Sequence, residues 1–364
     1  MAELLKHRYS ATYIQRLATI AQHHHPVFDI PGFSQQIFDS DWEARELKSR
    51  MHHITLCLHQ QIGMSYPSSI QLLSQMVADF SGFEAMFFPD YVMTFGLDDW
   101  DTSMEALALF TQYSSSEFAV RPFILQNPER MMAQMLSWST HPNEHVRRLS
   151  SEGCRPRLPW APALPLLKQS PTMILPILEQ LKQDSSLYVR RSVANNLNDI
   201  SKDNPQVTGE IANRWLGQHS TTDWLVKHGC RTLLKKADPE ILKLFGYDNQ
   251  SIDVVDFKLS SNQLSMGETL GFTFSLTSDG PSLGKVRAEY AIDFVKANGQ
   301  RSRKLFKISE SSVQTNRKAF KKSHCFKPLS TRKHYPGEHR ITLQINGQEK
   351  GCLPFQLQGT EIRK

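Results

Sequence analysis

Cations and carboxylates recur at helical spacing in three similar segments between Glu144 and Ala237. Superposing HisValArgArg (145–148), TyrValArgArg (188–191) and LeuValLysHis (225–228) puts Arg148, Arg191 and His228 in one row. Four residues on stand Glu152, Asn195 and Thr232, and after four more Pro156, Asp199 and Lys236. Steps of four keep residues on one helix face. Cations so arranged hold phosphates, whereas carboxylates stabilise developing positive charge and orient water. A surface that only grips phosphates gains nothing from Glu152 and Asp199, which repel it. The mixture points to chemistry at a polyanion. The plainer readings stay open on periodicity alone: Arg148 and Glu152 as an ordinary i,i+4 surface pair, and Asp199 as a solvated residue near a helix end.

The elements that must position these groups are legible from the apolar residues opposite them. Val189, Val193 and Leu197 line one copy, and Val226, Cys230 and Leu234 the next. The anchor valines at 146, 189 and 226 give a period of about 37–43 residues, the range of helical-pair solenoids. Such a stack presents an extended concave inner wall. Apolar residues also recur at three and four in 71–80 and 104–111. Prolines at 156, 159, 162, 165, 171, 176, 205 and 239 read as inter-helix turns and first-turn residues. Asp184 or Ser185 is the expected N-cap before TyrValArgArg, and Asn204 starts another helix the same way.

Near Gly246 the pattern changes. Alternation with period two marks 255–259, 268–277, 285–294, 318–322, 339–345 and 352–357, and AsnGly at 298–299 is a hairpin signal. About seven strands are expected in an antiparallel sandwich of immunoglobulin type, without the Cys…Trp…Cys core of antibody domains. The expectation is therefore a multidomain chain: an all-α HEAT-like-repeat solenoid over 1–248 and an all-β immunoglobulin-like sandwich over 249–364.

Charge divides along the same line. Residues 251–364 carry 19 Lys and Arg against 10 Asp and Glu, and the first 250 residues carry 23 against 26. Between Lys285 and Lys333, Arg332 included, fourteen cations stand against Glu289, Asp293 and Glu310. The runs 301–307 and 317–322 alternate, which places several of Arg301, Arg303, Lys304, Lys318 and Lys321 on one strand face. There they would neutralise phosphates without reading sequence. A solvated face that aids solubility is the alternative. Five scattered cysteines without CxxC spacing argue for a reducing compartment and against disulfides or zinc. No apolar run has the length of a membrane span, and the opening MetAlaGluLeuLeuLysHisArg lacks a secretory layout, so a cytoplasmic protein is expected. HisHisHis (23–25) and HisHis (52–53) lack companion ligands at metal spacing and are expected at solvated helix ends.

PheProAspTyrValMetThrPheGlyLeuAspAsp (88–99), SerSerGluPheAlaValArgProPhe (115–123), SerTrpSerThrHisProAsnGluHisValArgArgLeuSerSerGluGly (137–153), ArgProArgLeuProTrp (155–160) and ValArgArgSerValAlaAsnAsnLeuAsnAspIleSerLysAspAsnPro (189–205) carry a resemblance. With these and the appended sandwich, essentially the whole chain resembles the HEAT-like-repeat DNA alkylation-repair glycosylases, specifically the AlkC branch. The resemblance implies base excision repair of bases alkylated at N3, such as 3-methyladenine and 3-methylcytosine. It implies bent double-stranded DNA as partner, without metal or organic cofactor, and with no need to pull the base into a deep pocket; a monomer is expected. The sister AlkD-type branch presents two tryptophans and an aspartate, where this chain has Trp160 and several carboxylates.

The chemistry suits such residues. An N3-alkylated base is cationic, so its glycosidic bond is already weakened. What remains is to stabilise an oxocarbenium-like sugar and position a water, which carboxylates do in glycosidases. The implied roles are Glu152 and Asp199 for that stabilisation, and Glu117, the family's third acid, for support or lesion contact. Trp160 would stack on the lesion nucleotide; Arg148, Arg190, Arg191, His228 and Lys236 would join the sandwich cations on DNA. Loops at 296–303 and 310–317 are candidates for reaching the minor groove, where N3 lesions lie. The competing function is a non-catalytic HEAT-repeat nucleic-acid scaffold. A protein-binding adaptor would instead show exposed apolar residues on the inner wall.

Overall fold

The computed structural model describes residues 5–247, 251–327 and 333–359. The opening residues 1–4, the expected boundary at 248–249 and Arg332 lie outside the described residues. Among these, sixteen α-helices precede eight β-strands. The chain forms two compact units, Met1–Gly229 and Cys230–Lys364, so the short helices Arg231–Lys235 and Pro239–Leu244 group with the strands.

In the first unit the helix Leu187–Asp203 packs against both Glu144–Glu152 and Ser220–Gly229, the three repeat helices anticipated from the spacing. Val146, Val189 and Val226 are fully buried, and so are Val193 and Leu197. Each contributes about 1.5–3 kcal/mol by leaving water. Pro165, Pro176, Pro205 and Pro239 occupy first turns, where a missing N–H matters least.

Several local expectations are corrected. Only Leu187–Asp203 carries its whole row of Arg191, Asn195 and Asp199. The first repeat helix stops at Glu152 and the third at Gly229. A Cβ on Gly153 would lie 2.5 Å from Val120 Cγ2, and one on Gly229 2.7 Å from Leu197 Cδ2, so both glycines permit close packing. Pro156 then keeps Arg155 from helical backbone. Pro156 is thus off the helix, and Thr232 and Lys236 belong to the next short helix and its C-cap. The N-cap is Ser186, whose Oγ accepts from the Tyr188 N–H at 3.2 Å. Asp184 accepts from the Ser186 N–H and pairs with Arg147 at 2.6 Å. His23 and His24 do end the helix Ala11–His24. His52 and His53 instead sit inside Leu47–Ile62, bonded to Asp90 Oδ2 at 2.9 Å and the Gln36 carbonyl at 3.0 Å.

The strands are β1 (Ile252–Leu259), β2 (Gln263–Ser265), β3 (Thr269–Ser278), β4 (Gly284–Val295), β5 (Arg301–Val313), β6 (Arg317–Cys325), β7 (Gly337–Ile345) and β8 (Gln348–Gln358). They form sheets of order β1-β3-β6 and β2-β8-β7-β4-β5 around Phe272, Phe274, Ile292, Ile341 and Phe355. The AsnGly turn joins β4 to β5 with Gly299 at φ 76°, the left-handed backbone that glycine tolerates. The sandwich is not wholly antiparallel, because β2 runs parallel to β8. β2 has one buried residue, Leu264, too little for a period-two signal. β5 continues to Val313, so the expected 310–317 loop shrinks to 314–316, and 296–303 to 296–300.

Burial also sorts the thiols. It pushes Cys57 up to about 11 and Cys154 and Cys230 up to about 12, whereas the Lys327 backbone N–H and the Thr269 hydroxyl hold exposed Cys325 below its usual value. Thiolate is the reacting form. Iodoacetamide on the native protein is therefore expected to label Cys325 ahead of these three, read by peptide mass spectrometry. Equal labelling of Cys154 would contradict this packing.

Candidate active site

The structure brings Glu117, Glu152 and Asp199 into one chain of alternating charge. Glu117 pairs with Arg148 Nη1, and Arg148 Nη2 lies 3.4 Å from Glu152 Oε1. Arg155 Nη1 donates to Glu152 Oε1 at 2.7 Å, and its Nε donates to Asp199 Oδ2 at 2.9 Å. Lys202 closes the run on Asp199 Oδ1 at 2.9 Å. Two hydroxyls add to it. Ser192 donates to Glu152 Oε2 at 2.7 Å, and Ser115 donates to Glu117 Oε2 at 2.9 Å while accepting from Arg148 at 3.0 Å.

The acids are not equally accessible. Glu152 is 5% and Asp199 1% exposed, whereas Glu117 opens on a pocket of about 480 Å³. Burial alone would make the Arg148 and Arg155 guanidiniums easier to deprotonate. Glu152 and Glu117 around Arg148, and Glu152 and Asp199 around Arg155, outweigh it and raise both. The pairs at i,i+4 and i,i+3 are thus buried ones, where loss of one partner is costly.

Arg155 escaped the sequence reading. Its spacing of three from Glu152 is that of a helical ion pair, but the helix has ended and the side chain reaches across to the next repeat. Ser115, Ser192 and Lys202 carried no separate signal. The loop that holds Arg155 is pinned from within by Arg121, 2% exposed. Arg121 donates to the carbonyls of Gly153 (3.1 Å), Arg155 (3.0 Å) and Pro162 (3.0 Å). Burial lowers this guanidinium to about 10.

The same loop presents Trp160, which is 62% exposed. Its φ of 64° is left-handed, a strain of roughly 1–3 kcal/mol for a non-glycine residue. Trp160 lines the pocket with Phe83, Met86, Phe118, His145 and Tyr188 beside Glu117. Its ring meets Phe83 edge-on at 6.1 Å. Aromatic faces and a carboxylate together suit a planar cation.

The expected DNA contacts divide. Arg148 lies among acids, 5.2 Å from the Tyr188 ring centroid. Arg190 turns back to the carbonyls of Asp184 and Ser185, the latter at 2.9 Å. Arg191 and Lys236 are exposed, and His228 stacks on Trp224 at 5.4 Å. In the second unit Arg301 pairs with Glu338 and Arg303 with Glu349, both at 2.7 Å. Lys304 and Lys318 lie over Phe306 and Phe320, and Lys321 is exposed. Arg287, counted among the basic run, is not a surface cation: it is buried between Glu289 and Glu310. Among the described residues no group of three or more His, Cys, Asp and Glu has metal-binding geometry, and no helix is long and apolar enough to cross a membrane.

Helical repeats followed by an immunoglobulin-like sandwich, with buried ion pairs beside an aromatic pocket, define a narrow class. Residues 253–359 match the family described as "Uncharacterised protein YhaZ, C-terminal Ig-like domain". The chain is 48% identical over 355 residues to the uncharacterised protein YhaZ of Bacillus subtilis (strain 168), covering 97% of this chain and 99% of that one. It is also similar, at 35% identity and TM-score 0.94, to Pseudomonas fluorescens alkylpurine DNA glycosylase AlkC bound to DNA containing an abasic site analog, covering 98% of this chain and 100% of that one. The chain belongs to the AlkC family.

Proposed function

We propose that this protein is a DNA glycosylase of base excision repair that hydrolyses the N-glycosidic bond of cationic N3-alkylated bases, 3-methyladenine and 3-methylcytosine among them. The observation that carries the reading is the run Glu117–Arg148–Glu152–Arg155–Asp199 beside an aromatic-walled pocket. Glu117 stands nearest the pocket and faces the sugar as positive charge develops there. Glu152 adds its field one residue behind, through Arg148, and Asp199 holds Arg155 against Glu152. Such a preorganised set needs no rearrangement at the moment of reaction. Trp160 and Tyr188 flank the lesion nucleotide. The C1′–N bond breaks with its electron pair passing to the base, which leaves neutral without a strong acid because its ring was already cationic; a water then bonds to C1′ and loses its proton to solvent.

The sandwich would hold double-stranded DNA through phosphates, with the protein acting as a monomer in the cytoplasm, at the nucleoid. Exposed pairs such as Arg301 with Glu338 are weak, so their cations exchange readily to phosphate. Replacing Lys304 and Lys321 together by Gln is expected to weaken binding equally on damaged and intact duplex. It should reduce the slope of log K against log salt by about 1.8. An unchanged slope would assign the sandwich another task. The reaction itself is tested by incubating the protein with methylated duplex DNA and identifying the free base. Release of 3-methyladenine or 3-methylcytosine supports the reading; tight binding without release favours the silent scaffold.

A further inference from the structure

Residues 1–80 received no task from the sequence beyond helical packing, yet one of their side chains reaches the site. Lys48, in the first turn of the helix Leu47–Ile62, donates from Nζ to the Trp160 carbonyl at 2.9 Å. The same ammonium lies 4.6 Å from the centroid of the Phe118 ring. Phe118 and Trp160 are two walls of the pocket that Glu117 opens on. Trp160 combines an exposed indole with left-handed backbone, so its own burial does little to hold it. On its far side Arg121 fixes the Pro162 carbonyl. The tryptophan is thus strung between a buried arginine and a lysine from the start of the chain.

We propose that Lys48 is a positioning residue that fixes Trp160 against the bound nucleotide, giving the N-terminal helices a direct part in the site. The hydrogen bond holds the strained peptide, and the cation over Phe118 keeps the two walls in register. Lys48 is itself exposed, so its replacement leaves the core untouched. The consequence for catalysis rests on the glycosylase reading above, whereas the consequence for Trp160 does not.

The test uses the full chain. Lys48→Met is expected to slow single-turnover base release roughly 10- to 100-fold, the scale of a misplaced contact, with Tm unchanged. Lys48→Arg, which keeps a charged donor, should stay within about threefold of the parent. In a Trp160→Ala background Lys48→Met should add nothing, because the two act as one unit. A loss that persists there would make Lys48 a phosphate contact and overturn the proposal, as would a Lys48→Met protein with parental rates. Acrylamide quenching read as the difference between each protein and its Trp160→Phe form follows the indole without any reaction. Freer quenching in Lys48→Met supports the strap and identical quenching refutes it, even should the parent protein release no base at all.

Discussion

Glu117→Gln and Glu152→Gln are each expected to slow release of the alkylated base roughly 100- to 1000-fold, the scale of losing one preorganised electrostatic stabiliser. Both replacements keep the shape of the side chain and its capacity to accept from Ser115 or Ser192. Both remove the negative charge that the sugar needs as it becomes cationic. Glu117 loses the carboxylate nearest the pocket, and Glu152 the one that Arg148 and Arg155 share. Binding of undamaged duplex should be unchanged or slightly tighter, since a charge that repels phosphate has gone. Single-turnover rates on a defined duplex measure the effect. Two variants within twofold of the parent would mean that these acids serve the fold alone.

Arg155→Met should act on stability first. Its guanidinium is the bridge between Glu152 and Asp199, both almost fully buried. Removing one partner of a buried network costs about 3–5 kcal/mol, and the low end applies because Arg148 and Lys202 still face the two acids. A fall in Tm of roughly 6–12 °C follows for a unit of this size. Arg155→Lys separates fold from chemistry. It keeps the charge but cannot satisfy two carboxylates with one planar fork. It should therefore melt nearer the parent while releasing base at least tenfold more slowly. Thermal scans and rates on the same preparations decide it. Parental stability in Arg155→Met would show that the two acids do not depend on the bridge.

The parts of this molecule that follow periodic rules were legible in its residues. The valines at 146, 189 and 226 identified three repeat helices because burial imposes a period, and AsnGly 298–299 identified its hairpin because few dipeptides accept that turn. Glu152 and Asp199 belong to one cluster through Arg155 and not by direct approach. What escaped is aperiodic. Arg155, Arg121 and Lys48 act across sequence separations of 44, 34 and 112 residues, from loop or helix positions whose local pattern says nothing of a distant partner. The row Pro156–Asp199–Lys236 failed for a related reason. Glycines at 153 and 229 bring helices into close contact and end them early, which depends on neighbours in space and not along the chain. β2 was missed because three residues are too few to alternate.

The claim at the centre of this account is that carboxylates stabilise positive charge on the sugar of the damaged nucleotide. Its most direct test is the affinity ratio between two otherwise identical duplexes, one with a neutral tetrahydrofuran abasic site and one with a pyrrolidine abasic site whose ring nitrogen is protonated. The account predicts that the cationic duplex binds at least about 100-fold tighter, as mimics of a transition state do, and that Glu152→Gln abolishes most of the difference. Equal affinity for the two duplexes would contradict it.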